Sequence, residues 1–164
     1  MPLPTNSWYL TEQFGKLAGK TMTTKKSFLC LFFGCFGIAC EIFFVAFTHL
    51  YTQAPLWDEP LWSLTGKTYV WMFPIYALIP IIGGAVIDRV QKYPHLVRLL
   101  LYSTGIYIIE FISGYLLEVI TGKCPWEYTS GWQVMGYIRL DYLPYWILFS
   151  FLIERLYLYL NKRL

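Results

Sequence analysis

Residues Phe28–Phe47 read FLCLFFGCFGIACEIFFVAF, an apolar run interrupted by one charge, Glu41. A bilayer core about 30 Å thick is crossed by about 20 such residues in a helix. Three further apolar runs follow, and the spans are expected at about 27–50, 68–87, 96–120 and 142–160. All four must be helical, because hydrocarbon offers no partner to a free backbone N–H or C=O and four strands cannot close a barrel.

The rest of the chain agrees with lipid as its solvent. Of its 164 residues 57% are hydrophobic and only 14% charged, and the mean hydropathy is +0.47. A soluble domain carries about 25% charged residues. The net charge of +3 is too small to point to nucleic acid. The first run lacks a small-residue cleavage site followed by a polar stretch, so it is expected to stay as a span.

Lys and Arg set the orientation. Lys16, Lys20, Lys25 and Lys26 precede the first span, Arg89, Lys92 and Arg98 lie between the second and third, and Lys162 and Arg163 follow the fourth. The two opposite loops hold only Lys67, Lys123 and Arg139, alongside Asp58, Glu59, Glu127 and Asp141. Both termini are therefore expected in the cytoplasm.

The organisation that follows is a cytoplasmic segment 1–26, a hairpin 27–88, a linker 89–95, a second hairpin 96–160 and a tail 161–164. Within the first segment, residues 6–20 mix Trp8, Tyr9, Leu10, Phe14 and Leu17 with polar neighbours. Two readings stay open there, a short interfacial helix and a frayed tail.

The hairpins resemble each other. Pro55, Trp62, Gly66 and Pro74 recur seventy residues later as Pro125, Trp132, Gly136 and Pro144. One residue off that register, Glu41, Trp57 and Asp58 match Glu110, Trp126 and Glu127, and Asp88-Arg89 matches Glu154-Arg155. The shorter offset of the last pair implies about one extra helical turn in the second span, near Gly83-Gly84. The fold class expected is an all-α integral membrane four-helix bundle built from two tandem duplicated hairpins, related by an axis along the membrane normal.

Glu41 and Glu110 each lie about fourteen residues past the cytoplasmic end of a span, ~21 Å at 1.5 Å per residue. A carboxylate at that depth must face a partner or a wet cavity. It can bind a cation, a proton or a polar headgroup, or it can serve as a hydrogen bond between helices. Glu110, Gly114 and Glu118 follow at spacing four, on one helix face, and His49 occupies the position matching Glu118. This polar stripe is expected to face the bundle interior. Trp126, Glu127 and Tyr128 in the second outer loop join the candidate site. Arg139 and Asp141 are placed to pair with Glu110 or Glu118, and Lys67 with Glu41.

Cys30, Cys35 and Cys40 step ~140° around a helix and Cys124 stands apart, so they form no metal pattern. His49 and His95 lie on opposite membrane faces. No metal, cofactor or catalytic residue is expected, and no nucleotide-binding glycine loop or nucleophile elbow is present in the sequence.

Gly37-Ile38-Ala39-Cys40-Glu41, Glu110-Phe111-Ile112-Ser113-Gly114, Cys124-Pro125-Trp126-Glu127-Tyr128 and Gly136-Tyr137-Ile138-Arg139-Leu140-Asp141-Tyr142, with Glu154-Arg155, resemble the transmembrane protein 229 family. That family is grouped with bacterial proteins labelled type IV ABC transporters. The resemblance covers about residues 30–158 and implies a multi-pass membrane protein. It supplies no catalytic residue, and the chain has no ATP-binding motif of its own. A transport role would call for a partner membrane protein or a homo-oligomer in addition to membrane lipid.

Three functions compete at this point. The first is a transport-related or accessory protein with an acidic pocket open to the non-cytoplasmic side. The second is a structural scaffold without a ligand. The third is an intramembrane enzyme acting on lipid, for which paired carboxylates would do acid–base work.

Overall fold

The computed structural model describes the backbone of residues 7–52 and 65–164 and the side chains of 22–48 and 65–164. Helix α1 runs Ser7–Thr52, and the second span is built from α2 (Met72–Ala77), a π-helical turn (Ile79–Gly83) and α3 (Gly84–Val90). Helix α4 is His95–Thr121 and α5 is Leu143–Arg163, preceded by a 3-10 turn at Leu140–Tyr142. Between α4 and α5 a small antiparallel hairpin pairs β1 (Gln133–Val134) with β2 (Ile138–Arg139).

Among the described residues, four segments are long and apolar enough to cross a membrane: Met22–Thr48, Met72–Val90, His95–Thr121 and Leu140–Arg163. Their large apolar side chains point outward, with Phe43, Phe47 and Ile120 each more than 60% exposed. In water such surfaces would aggregate, and in lipid they are the solvated face. The expected all-α membrane bundle is the fold observed. The amphipathic stretch 7–20 is helical and continues into the first span without a break.

Glycines set the closest packing. An added Cβ on Gly34 would stand 2.7 Å from the Phe73 ring, and one on Gly37 would stand 2.2 Å from Tyr76. Both rings therefore lie against bare α1 backbone, the small-residue contact typical of membrane helices. Helix α1 packs chiefly on the second span and α4 chiefly on α5. The two pairs meet where Leu29, Phe33, Ile87, Ile153 and Tyr157 bury one another.

Pro80 falls inside the π-turn. It has no N–H to donate, and the turn re-routes the ladder so that Gly84 N–H donates to the Ile79 carbonyl. Gly83 ends this π-turn and Gly84 caps it. The halves also differ: Gly136 sits at the hairpin turn with φ 77°, whereas Gly66 lies against α1, where a Cβ would stand 2.2 Å from the Ile42 carbonyl oxygen. Pro55, Trp57, Asp58 and Trp62 lie outside the described residues.

At the basic end of the bundle, Glu154 is 1% exposed and collects donors from three sources. Arg98 Nε donates to Oε1 at 2.8 Å and Nη2 to Oε2 at 3.2 Å, Tyr102 Oη donates at 2.9 Å and Gln91 Nε2 at 3.2 Å. A buried carboxylate is stable only when its lone pairs are occupied in this way.

Candidate functional site

At the opposite end, the elements converge on a cavity of about 270 Å³. Helix α1 contributes Glu41 and Phe44, the segment before α2 contributes Lys67 and Tyr69, and α2 contributes Tyr76. Helix α4 contributes Glu110, the loop between α4 and α5 contributes Trp126 and Tyr128, and the start of α5 Tyr142 and Trp146. Among the described residues, two carboxylates, from the first span and α4, and one lysine therefore line one chamber.

Each carboxylate is held by a tyrosine. Tyr76 Oη donates to Glu41 Oε2 at 3.2 Å, and Tyr128 Oη donates to Glu110 Oε1 at 2.8 Å. Burial, reinforced by the negative Glu110 beside it, pushes the Tyr128 phenol well above its ordinary range, so it remains a donor. Glu110 Oε2 and Trp146 Nε1 are buried without a hydrogen-bond partner among the described residues. Thr68 lies beside Glu41, but its buried hydroxyl falls outside normal hydrogen-bond geometry. A buried polar atom without a partner costs about 1–3 kcal/mol, which a ligand group would recover.

Aromatic rings fix the chamber's shape. Phe44 stands edge-on to Tyr142 and Tyr145 at centroid distances of 5.5 and 4.9 Å, and Tyr128 stands edge-on to Tyr142 at 5.8 Å. Trp126 is oriented from behind, because its Nε1 donates to the Tyr137 carbonyl at 3.2 Å. The β-hairpin thus acts through Trp126 on the chamber wall.

The sequence-derived residues divide into two groups. Glu41, Glu110, Trp126 and Tyr128 share the chamber. Gly114 lies beneath the Tyr137 ring, where a Cβ would stand 3.2 Å from Cδ1, and so lets the loop between α4 and α5 settle on α4. Glu118 is exposed and accepts the Tyr137 hydroxyl at 2.5 Å, so the stripe that begins at Glu110 leaves the interior two turns later. That hydrogen bond, then burial, pushes the Tyr137 phenol up to about 12. Glu127 is exposed and does not line the chamber. His49 has a helical backbone, and its side chain lies outside the described residues.

Arg139 and Asp141 pair with each other rather than with Glu110 or Glu118. The Arg139 guanidinium stands 4.2 Å over the Tyr142 ring and donates to Tyr142 Oη at 3.0 Å, while Asp141 Oδ1 accepts the Trp132 N–H at 3.1 Å. The pair is a brace behind Tyr142. Lys67 reaches the chamber and stands 5.6 Å over the Tyr69 ring.

Tyr76, Tyr142 and Trp146 are chamber residues that the sequence reading passed over. Tyr76 and Trp146 occupy the same seventy-residue register as Pro74 and Pro144, a signal present but hidden among many span aromatics. Among the described residues no cluster of three or more His, Cys, Asp or Glu is arranged to hold a metal ion. No family model matches the chain, and no solved structure matches it.

Proposed function

We propose that the chain is a transport-related or accessory multi-pass membrane protein whose chamber takes a cationic ligand from the non-cytoplasmic side. The observation that carries this reading is the convergence of Glu41 and Glu110 on one cavity where, among the described residues, Lys67 is the one basic side chain in the wall. Two carboxylates held in an apolar bundle need positive charge or protons to be stable there, and one lysine balances one of them.

The orientation rests on charge. Arg89, Lys92, Arg98, Lys162 and Arg163 lie at the end of the bundle away from the outer loop that carries Trp126 and Tyr128. The positive-inside bias then puts both termini in the cytoplasm and the chamber on the other side. Kinship with the transmembrane protein 229 family belongs to the same proposal. It is supported by the Cys124-Pro125-Trp126-Glu127-Tyr128 box, which contributes two rings to the chamber.

A scaffold role has its own support, since each glutamate already accepts a tyrosine hydroxyl and so ties elements together. One experiment separates the two readings. Purified protein in dodecyl maltoside is titrated with sodium, methylammonium and tetramethylammonium, and binding is read from tryptophan fluorescence. Saturable binding of at least one cation, lost in Glu41→Gln/Glu110→Gln while the helical circular dichroism persists, is the expected result. A double variant that differs from wild type only in thermal stability, with no cation bound by either, would establish the scaffold.

A further inference from the structure

We propose that the ligand is an amphipathic organic ammonium compound, its head in the chamber and its apolar tail in the cleft between the second span and α4. This rests on the cation-binding reading above and names the class of cation.

The chamber wall selects the head. Besides the two glutamates it presents the rings of Phe44, Tyr76, Trp126, Tyr128, Tyr142 and Trp146. A hard metal cation asks for six or more oxygen ligands, as calcium and magnesium do. Here the carboxylates supply four oxygens, two of which already accept tyrosine hydroxyls. An alkylated ammonium is bound instead by aromatic faces with a carboxylate nearby, and it loses far less hydration on entry.

The tail follows from continuity. Glu110, Tyr76 and Trp146 also line a neighbouring cavity of about 70 Å³. Ile75, Ile79, Ile106, Ile109 and Phe149 are shared between that cavity and a cleft of about 130 Å³ beyond it. The cleft runs along α4 from Ile109, next to Glu110, to Leu101, about 12 Å at 1.5 Å per residue. Its wall is largely apolar, mostly isoleucine and leucine, with Tyr102 and Ser150 its polar side chains. It lies between two helices whose main packing partners are elsewhere, α1 for the second span and α5 for α4.

Gly105 keeps this cleft open. It lines the cleft, and an added Cβ there would find nothing within 4 Å. Gly34 and Gly37, by contrast, are filled by rings from α2. A path that begins at paired carboxylates and continues as an apolar slot matches a molecule with one positive end and one alkyl end. A neutral lipid tail would satisfy the slot but not the chamber.

The test compares tetramethylammonium, octyltrimethylammonium and octanol by tryptophan quenching in dodecyl maltoside, with wild type, Glu110→Gln and Gly105→Leu. Octyltrimethylammonium is expected to bind at least tenfold tighter than tetramethylammonium, and octanol not to saturate. Glu110→Gln should abolish binding of both cations. Gly105→Leu should erase the tenfold gain and leave tetramethylammonium unchanged. Val86→Phe, on the facing wall, repeats the test should the first cleft variant not fold. Equal affinities for the two ammonium compounds, or a gain that survives both cleft variants, would overturn the tail site and leave the cation-binding reading intact. Sodium binding without either ammonium would overturn the ligand class alone. No cation bound by wild type would overturn both.

Discussion

The contact between Gly37 and Tyr76 offers the sharpest test of how the first hairpin is held. A Cβ on Gly37 would stand 2.2, 2.5 and 2.6 Å from three atoms at the base of the Tyr76 side chain. Ordinary contact begins near 3.4 Å, so the ring must withdraw by about 1.2 Å or the helices must part. Tyr76 is 8% exposed, and a ring that withdraws into the chamber it lines strains the hydrogen bond to Glu41, which accepts its hydroxyl at 3.2 Å. Overpacking of this kind costs about 1–3 kcal/mol, and the strained hydrogen bond adds about 1 kcal/mol. Set against a helix-propensity gain of up to about 1 kcal/mol, Gly37→Ala is therefore expected to destabilise the protein by about 1–3 kcal/mol net. The control is Gly105→Ala, with open space at its Cβ, which should be neutral or slightly stabilising. Unfolding by sodium dodecyl sulfate in mixed micelles, followed by far-ultraviolet circular dichroism, measures both. Adding Tyr76→Ala should return much of the Gly37→Ala loss, a coupling of about 1–2 kcal/mol. Equal stabilities for the Gly37→Ala and Gly105→Ala proteins would refute the packing of α1 on the second span as described.

Other consequences are as direct. Tyr128→Phe strips Glu110 of its hydrogen bond and should cost about 2 kcal/mol in the same unfolding assay. Glu154→Leu leaves Arg98 without its carboxylate and should cost about 2–3 kcal/mol, below the usual range for a buried pair because the site sits at the end of the bundle. Glu127→Ala, on the surface, should stay within about 0.5 kcal/mol of wild type. Alkali should reveal Tyr137: its folded-state pKa is raised to about 12, so its contribution is complete below about pH 10 and lost as pH climbs through about 12. Tyr137→Phe should flatten the stability profile over that window.

The spans were legible because hydrocarbon thickness imposes a run length that no soluble element shares, and Phe28–Phe47 meets it with one charge. Glu41 and Glu110 were legible for the same reason, as charges where charge is costly. The rest of the chamber wall was not, because it is assembled from elements far apart in the chain. No period in α2 or α5 says that Tyr76 and Trp146 will stand opposite Glu110. The loop between α4 and α5 entered the candidate site through Trp126, Glu127 and Tyr128, but its fold was not legible: Gln133–Arg139 forms a hairpin whose turn needs positive φ at Met135 and Gly136, and it holds Trp126 in place. Arg139 illustrates the limit best. Its charge made it a partner for the span glutamates, but Asp141 is two residues away and closes the pair locally.

The reading depends on Glu41 and Glu110 facing one chamber that opens away from the basic end of the bundle. Cysteine accessibility measures this directly. In a cysteine-free background, Glu41→Cys and Glu110→Cys are each exposed to a membrane-impermeant trimethylammonium thiosulfonate, in vesicles of both orientations. Labelling of both positions from the non-cytoplasmic face alone, each protected by tetramethylammonium, is the expected result. Labelling from the cytoplasmic face, or of one position without the other, would contradict it.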